Sequence, residues 1–184
     1  MAIQVKEITQ LITEPVTKSQ VKAYMGYPDS DTSQDDLIDM LITAARKYVE
    51  DYTGCSVVEK QYKVYFEKED LAGGWLELPF FPVSESEDIT LTINGTEVDF
   101  EQKGLKRVKI YPSAVYSTIP VGSNLTEWYG EVTFTAGEEN SIANAAIIRI
   151  VSHLFNHRED GIDKAFNSLP FDTIKLLNSL KVEV

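Results

Sequence analysis

The sequence predicts an α+β fold: a helical bundle formed by the N- and C-terminal segments, with an inserted antiparallel β subdomain. Apolar residues recur at helical spacing up to Gly54 and again from Ser141, and short alternating segments fill the region between. We therefore expect one domain with a helical part at 14–54, a β subdomain at 61–136 and C-terminal bundle helices at 141–180.

A short helix is predicted over VTKSQVKAYM. Thr17 can cap its N-terminus, and Gly26 followed by Pro28 ends it. The acidic loop DSDTSQDD comes next. It loosely resembles a calcium loop but lacks the glycine and the terminal glutamate in register, so we expect a solvated loop.

The clearest predicted helix has Ser33 as its N-cap and Gly54 as its left-handed stop. Asp35 and Asp36 fall in its first turn, where the helix dipole favours anions. Three- and four-residue spacing predicts one apolar stripe. The stripe comprises Leu37, Leu41, Ala44, Ala45, Tyr48, Val49 and Tyr52.

About six short strands are predicted in the middle of the chain. Their segments are YKVYF, GWLELP, DITLTI, TEVDF, LKRVKIY and EWYGEVTFTAG. In YKVYF, Tyr62, Val64 and Phe66 should share one side, and Asn94-Gly95 predicts a tight hairpin turn. Because no helix separates these segments, we expect antiparallel pairing.

Helical spacing returns at Ser141 and predicts a helix over 141–157 that is buried on more than one side. Its main face comprises Ala143, Ile147, Ile150, Val151 and Leu154, widened by Ala145, Ile148 and Phe155. Pro170 should open a last helix in its first turn. The apolar stripe of that helix comprises Phe171, Ile174, Leu177 and Leu180.

The formal net charge is −12, and most of the acidic excess lies in the middle of the chain. Residues 61–140 hold 14 acidic and 6 basic side chains, whereas residues 141–184 hold 5 of each. No basic stripe is present to neutralise phosphates, which argues against tight nucleic-acid binding.

The single cysteine, Cys55, has no partner for an intrachain disulfide, which is typical of a reducing compartment. The N-terminus lacks the basic and apolar regions of a signal peptide, and the most apolar run is interrupted by Arg149. We expect a soluble cytosolic product with no membrane association.

His153 and His157 lie four residues apart and would share a helix face, which raises the alternative of a metal-dependent enzyme. However, Leu154 stands where a zinc protease has its glutamate, and Arg149 would oppose a cation. A third ligand would have to come from Glu159, Asp160 or Asp163. A polar seam near the helix end is the favoured interpretation, and no metal, cofactor or catalytic residue is expected.

Several segments, in order, resemble the gp6-like head–tail connector (adaptor) proteins of tailed bacteriophages and prophages. They are VTKSQVKAYM, DDLIDMLITAARKYVEDYTG, LELPFFPV, VTFTAG and IANAAIIRIVSHLFNHRED, followed by a helix that begins with proline. The resemblance runs from about Glu14 to Leu180. The chain departs from the family at Cys55, where a basic residue is common, and in a longer acidic N-terminus.

This resemblance implies a structural protein of the virion, made in the host cytoplasm, rather than an enzyme. Such proteins form a homo-oligomeric ring beneath the portal, extend the DNA channel without specific DNA binding and dock head-closure or tail-completion proteins. Another neck or tail-completion protein remains an alternative. The candidate subunit or bundle contacts are Arg46, Arg149, Arg158 and Glu159. The candidate portal-docking residues are Phe171, Ile174, Leu177 and Leu180.

Overall fold

A computed structural model describes residues 3–8, 13–71, 73–83, 89–104, 108–113, 129–157 and 169–181. These residues contain four α-helices and two antiparallel sheets, which confirms the predicted α+β class. The chain forms two compact units. The β unit comprises Met1–Leu11 and Glu59–Gly137, and the helical unit comprises Ile12–Val58 and Glu138–Val184.

The helical unit contains α1 (Lys18–Met25), α2 (Asp35–Thr53), α3 (Ser141–Asn156) and α4 (Phe171–Leu180). Its apolar core draws on all four helices. The predicted ends of α1 are confirmed. Thr17 and Gln20 form a reciprocal capping box, and Gly26 adopts a left-handed φ of 75°.

Helix α2 differs from the prediction at its start and in its buried face. Gln34, not Ser33, occupies the N-cap position, because the Ser33 N–H donates to Asp31 Oδ1 at 3.0 Å within the preceding turn. The buried face is also rotated from the predicted stripe, and Tyr48 and Tyr52 lie half-buried on its flank. Its buried apolar residues are Ile38, Leu41, Ile42, Ala45 and Val49.

Helix α3 begins where predicted, because the side chain of Asn140 accepts hydrogen bonds from the backbone of Ile142 and Ala143. The main predicted face is buried, but Ala145 is exposed, so it does not widen that face. Pro170 takes the N-cap position of α4 instead of lying inside its first turn.

The β unit contains eight described strands. They are β1 (Gln4–Glu7), β2 (Lys60–Glu67), β3 (Leu76–Glu77), β4 (Thr90–Ile93), β5 (Thr96–Glu97), β6 (Phe100–Lys103), β7 (Lys109–Pro112) and β8 (Tyr129–Ala136). One sheet has the order β1-β2-β8-β4-β5, and the other has the order β3-β7-β6. The sequence patterns did not predict β1.

The long strands β2 and β8 pair over eight residues and build the core of the β unit. As predicted, Tyr62, Val64 and Phe66 share the buried side of β2. Gly130 on β8 lies opposite Phe66, and an added Cβ at position 130 would overlap the Phe66 ring. Asn94, with a φ of 50°, forms the predicted hairpin turn together with Gly95.

Candidate functional site

The Arg46 guanidinium on α2 is the centre of a network of charged groups in the helical unit. Its Nε donates to Glu14 Oε2 at 2.7 Å, and its Nη1 donates to Glu50 Oε2 at 2.7 Å. Thr43 Oγ1 donates to Glu14 Oε1 at 2.9 Å, and the Val57 N–H donates to Glu50 Oε1 at 3.3 Å. Arg46 and Glu50 are only 4% and 5% exposed, so their ion pair is buried, whereas the Glu14 side chain is 27% exposed.

Burial alone would lower the pKa of Arg46, but hydrogen bonding to Glu14 and the charges of Glu50 and Glu14 raise it overall. The guanidinium therefore stays charged, as it must when it balances two carboxylates. The arrangement can hold backbone segments in place. The carboxylate oxygens of Glu14 and Glu50 accept their hydrogen bonds from within the chain.

A second charged cluster lies at the acidic loop. Lys22 is only 3% exposed, and its Nζ donates to the backbone oxygen of Asp31 at 2.8 Å and pairs with the Asp35 carboxylate at 2.5 Å. Lys18 pairs with Asp39 at 3.0 Å. The hydrogen bond from Lys22 holds the pKa of Asp35 below its usual value. The loop residues 29–33 are exposed, as the sequence predicted, and the Lys22 ammonium group also ties the Asp31 backbone to α1.

The two histidines of α3 lie together, with ring centroids 4.2 Å apart. His157 Nδ1 lies 2.8 Å from the backbone oxygen of His153, to which it can donate a hydrogen bond. Within the described residues, no group of three or more His, Cys, Asp or Glu side chains is placed to hold a metal ion. The acids that were considered as third ligands, at positions 159, 160 and 163, fall outside those residues.

Cys55 is 3% exposed and lies in the turn that follows α2. Burial, together with the negative charges of Glu138 and Glu50, raises the pKa of its thiol to about 11. A thiol of this kind stays protonated at neutral pH and is a poor nucleophile.

The other sequence-predicted residues are dispersed. Arg149 is exposed on α3, and Arg158 and Glu159 lie outside the described residues. On α4, Phe171 is 69% exposed and Ile174 is half-buried. Leu177 and Leu180 belong to the core of the helical unit, so they pack α4 against the other helices and expose little surface to a partner.

Sequence reasoning did not single out Glu14, Glu50 or Lys22. Arg46 and Glu50 are four residues apart, a spacing that brings opposite charges together on a helix. The four-residue spacing predicts that Arg46 and Glu50 form an ion pair, but it does not show that the pair is buried. Glu14 lies 32 residues from Arg46, and no local pattern connects them.

None of the described helices has the length and apolar character needed to cross a bilayer. No protein family model matches the sequence, and no curated protein matches it.

Among solved structures, the fold is similar to that of chains from gene transfer agent (GTA) particles. One comes from the virion of the native particle, with a TM-score of 0.70 and 17% identity over 98% of this chain and 96% of that one. Another comes from the neck of the native particle, computed with C12 symmetry, with a TM-score of 0.69 and 18% identity over 98% and 97%. A third, from the neck of the empty particle computed with C6 symmetry, has a TM-score of 0.69 and 16% identity over 98% and 97%. These likenesses show a shared fold across nearly the whole chain.

Replacing Arg46 with Met should destabilise the protein by about 3–5 kcal/mol, because the buried Glu50 and the partly buried Glu14 would lose their counter-charge. Urea unfolding monitored by circular dichroism measures this change. Lys47→Met, at the exposed neighbouring position of the same helix, is the control and should change stability by less than about 0.5 kcal/mol.

The double variant Arg46→Met/Glu50→Leu should be less destabilised than Arg46→Met, because it removes one of the two carboxylates left unpaired. Equal stability of Arg46→Met and Lys47→Met would show that the buried network contributes nothing.

The Asp35–Lys22 pair should make the stability of the protein depend on pH. Because the folded-state pKa of Asp35 is lowered, its contribution is present above the ordinary value of 3.8 and is lost as the pH falls through the lowered value. Asp35→Asn should therefore reduce the unfolding free energy at about pH 6 and have less effect at about pH 3. Asp36→Asn, in the same helical turn, is the matched control. If both variants showed the same pH profile, the Lys22 pair would not be the cause.

Proposed function

We propose that this chain is a structural connector of a phage or phage-like particle neck. It would form a ring beneath the portal, extend the DNA channel and dock the head-closure or tail proteins. The observation that carries this proposal is the likeness in fold, over 98% of this chain, to chains from GTA necks that were computed with C6 and C12 symmetry.

Two further observations support the proposal. The ordered sequence resemblance to phage connectors runs from about Glu14 to Leu180, most of the length covered by the structural likeness. In addition, the charged clusters around Arg46 and Lys22 join segments of the chain to one another. Such clusters suit a protein whose task is to keep its shape within an assembly.

The net charge of −12 fits a DNA conduit. Acidic walls repel phosphates, so a duplex can slide past them without the counterion release that holds DNA on basic proteins. The proposal therefore includes DNA as a passing molecule and not as a specific ligand.

The first test is to sequence the DNA that flanks the gene. Neighbouring frames for portal-sized, capsid-sized and tail proteins are expected, and the encoded portal can then be mixed with this chain for electron microscopy. A ring on the portal with an acidic lumen is the expected result. Flanking genes for metabolic enzymes, or a ring with a basic lumen, would contradict the proposal. In the first case, stoichiometric zinc that is lost in His157→Ala would favour the metal-enzyme alternative.

We further propose that α4 docks the portal through Phe171, with Ile174 beside it. Phe171 is a large side chain that is 69% exposed, and Lys175 lies over its ring at 4.6 Å. Exposed aromatic side chains are frequent anchors of protein interfaces. Phe171→Ser should weaken portal binding at least about tenfold in surface plasmon resonance.

Ile142→Ser is the matched control, since Ile142 is also an exposed apolar residue of a helix in the same unit. It should leave portal binding unchanged. Both variants should keep the wild-type unfolding midpoint, because neither position belongs to the core. Unchanged portal binding by Phe171→Ser would rule out this docking residue.

A further inference from the structure

We propose that the outer edge of β1 pairs with an extended segment of a second copy of this chain. This inference rests on the proposed ring and names one of its subunit contacts. It starts from an unusual property of β1: all four residues of the strand, Gln4–Glu7, are exposed. The apolar side chains in and beside it are uncovered as well, with Ile3, Val5 and Ile8 exposed by 37%, 41% and 44%.

The hydrogen-bond pattern identifies which backbone groups face outward. Strand β1 pairs antiparallel with β2, and the Ile8 N–H donates to the Gln61 oxygen at 2.9 Å. In an antiparallel ladder, hydrogen-bonded pairs alternate with non-bonded pairs. Lys6 and Gln4 therefore bond to β2, while the N–H and C=O groups of Val5 and Glu7 point toward the free edge.

Within the described part of the chain, no strand pairs with that edge. On the free edge of β1, backbone N–H and C=O groups recur at every second residue. This spacing is complementary to the backbone of another extended segment. Ile3 and Val5 stand on one face of the strand, so they would offer apolar contacts to the same partner. The structure thus defines the chemistry of the partner as an extended polypeptide segment with apolar side chains.

The strand carries the exposed Lys6, but it lacks other common protections of an edge. It has no proline and no bulge, and of its two charged residues Glu7 is engaged by the buried Lys60 at 3.6 Å. Ordering such a strand costs conformational entropy, and in the single chain Ile3, Val5 and Ile8 bury only part of their apolar surface to offset that cost. A neighbouring subunit would supply the missing burial. In a ring, a second copy of the chain lies beside every subunit, so we assign the contact to it.

The alternation of hydrogen bonds provides a selective test. Val5→Pro removes an outward-facing donor and leaves the bonds from Gln4 and Lys6 to β2 in place. Val5→Thr is the matched control, because it keeps the N–H and a β-branched side chain. Both full-length variants and the wild type would be followed by analytical ultracentrifugation over a range of concentrations, and also on the portal.

Val5→Pro should raise the dissociation constant of self-assembly at least about tenfold, whereas Val5→Thr should assemble like the wild type. Hydrogen exchange read by mass spectrometry gives a second measurement. Within the peptide containing residues 3–8, the outward-facing amides of Val5 and Glu7 should exchange faster in the isolated chain than in the assembled wild type.

The two proposals fail in different ways. A wild-type chain that stays monomeric both alone and with the portal would contradict the proposed ring, and the β1 contact with it. If the wild type and Val5→Pro formed rings equally well, and assembly did not protect residues 3–8 from exchange, the β1 contact would be overturned. The proposed ring would still stand.

Discussion

The helical unit depends on one constraint, the buried guanidinium of Arg46. It connects the two ends of the first chain segment of this unit, Ile12–Val58. The chain enters this unit at Ile12 and leaves it after Val58. Glu14 lies just inside the first boundary, and Val57 lies just inside the second. Arg46 binds Glu14 directly and reaches the Val57 N–H through the Glu50 carboxylate. Helix α2, which carries Arg46 and Glu50, is therefore linked to the chain at both boundaries.

This constraint explains why α2 turns a mixed face toward the interior. A buried ion pair rarely adds much net stability over apolar residues of the same size, since desolvation offsets the attraction between the charges. Its effect is directional, because a guanidinium satisfies its partners in only a few geometries. Leu41, Ala45 and Val49 supply apolar burial on the same helix. We infer that Arg46 contributes mainly by selecting one arrangement of the segments around it.

Local signals in the sequence predicted the local features well. Thr17 and Gly26 mark the ends of α1, and Asn94 with Gly95 marks a hairpin, because each residue type has a specific backbone preference. Helical and alternating spacing also located the helices and most of the strands, and so predicted the fold class.

The features that the sequence did not reveal depend on contacts between distant residues. The buried face of α2 was misplaced because Arg46 and Glu50 look like solvent-facing residues until Glu14 is brought beside them. Strand β1 was missed because Val5 is the only apolar residue among its four, which leaves no apolar pattern. The docking stripe assigned to α4 mixed exposed Phe171 with buried Leu177, since spacing shows which residues share a face and not which of them are covered.

A ring requires each subunit to present two different surfaces to its neighbours, because its contacts are heterologous. A rigid interior alone provides neither of them. Two of the exposed apolar side chains of this chain are Val5, on an edge strand of the β unit, and Phe171, on α4 of the helical unit. Each lies on an element that is anchored from one side, β1 by its pairing with β2 and α4 by the burial of Leu177. Elements held in this way keep a defined shape before they meet a partner, which reduces the conformational entropy lost on assembly.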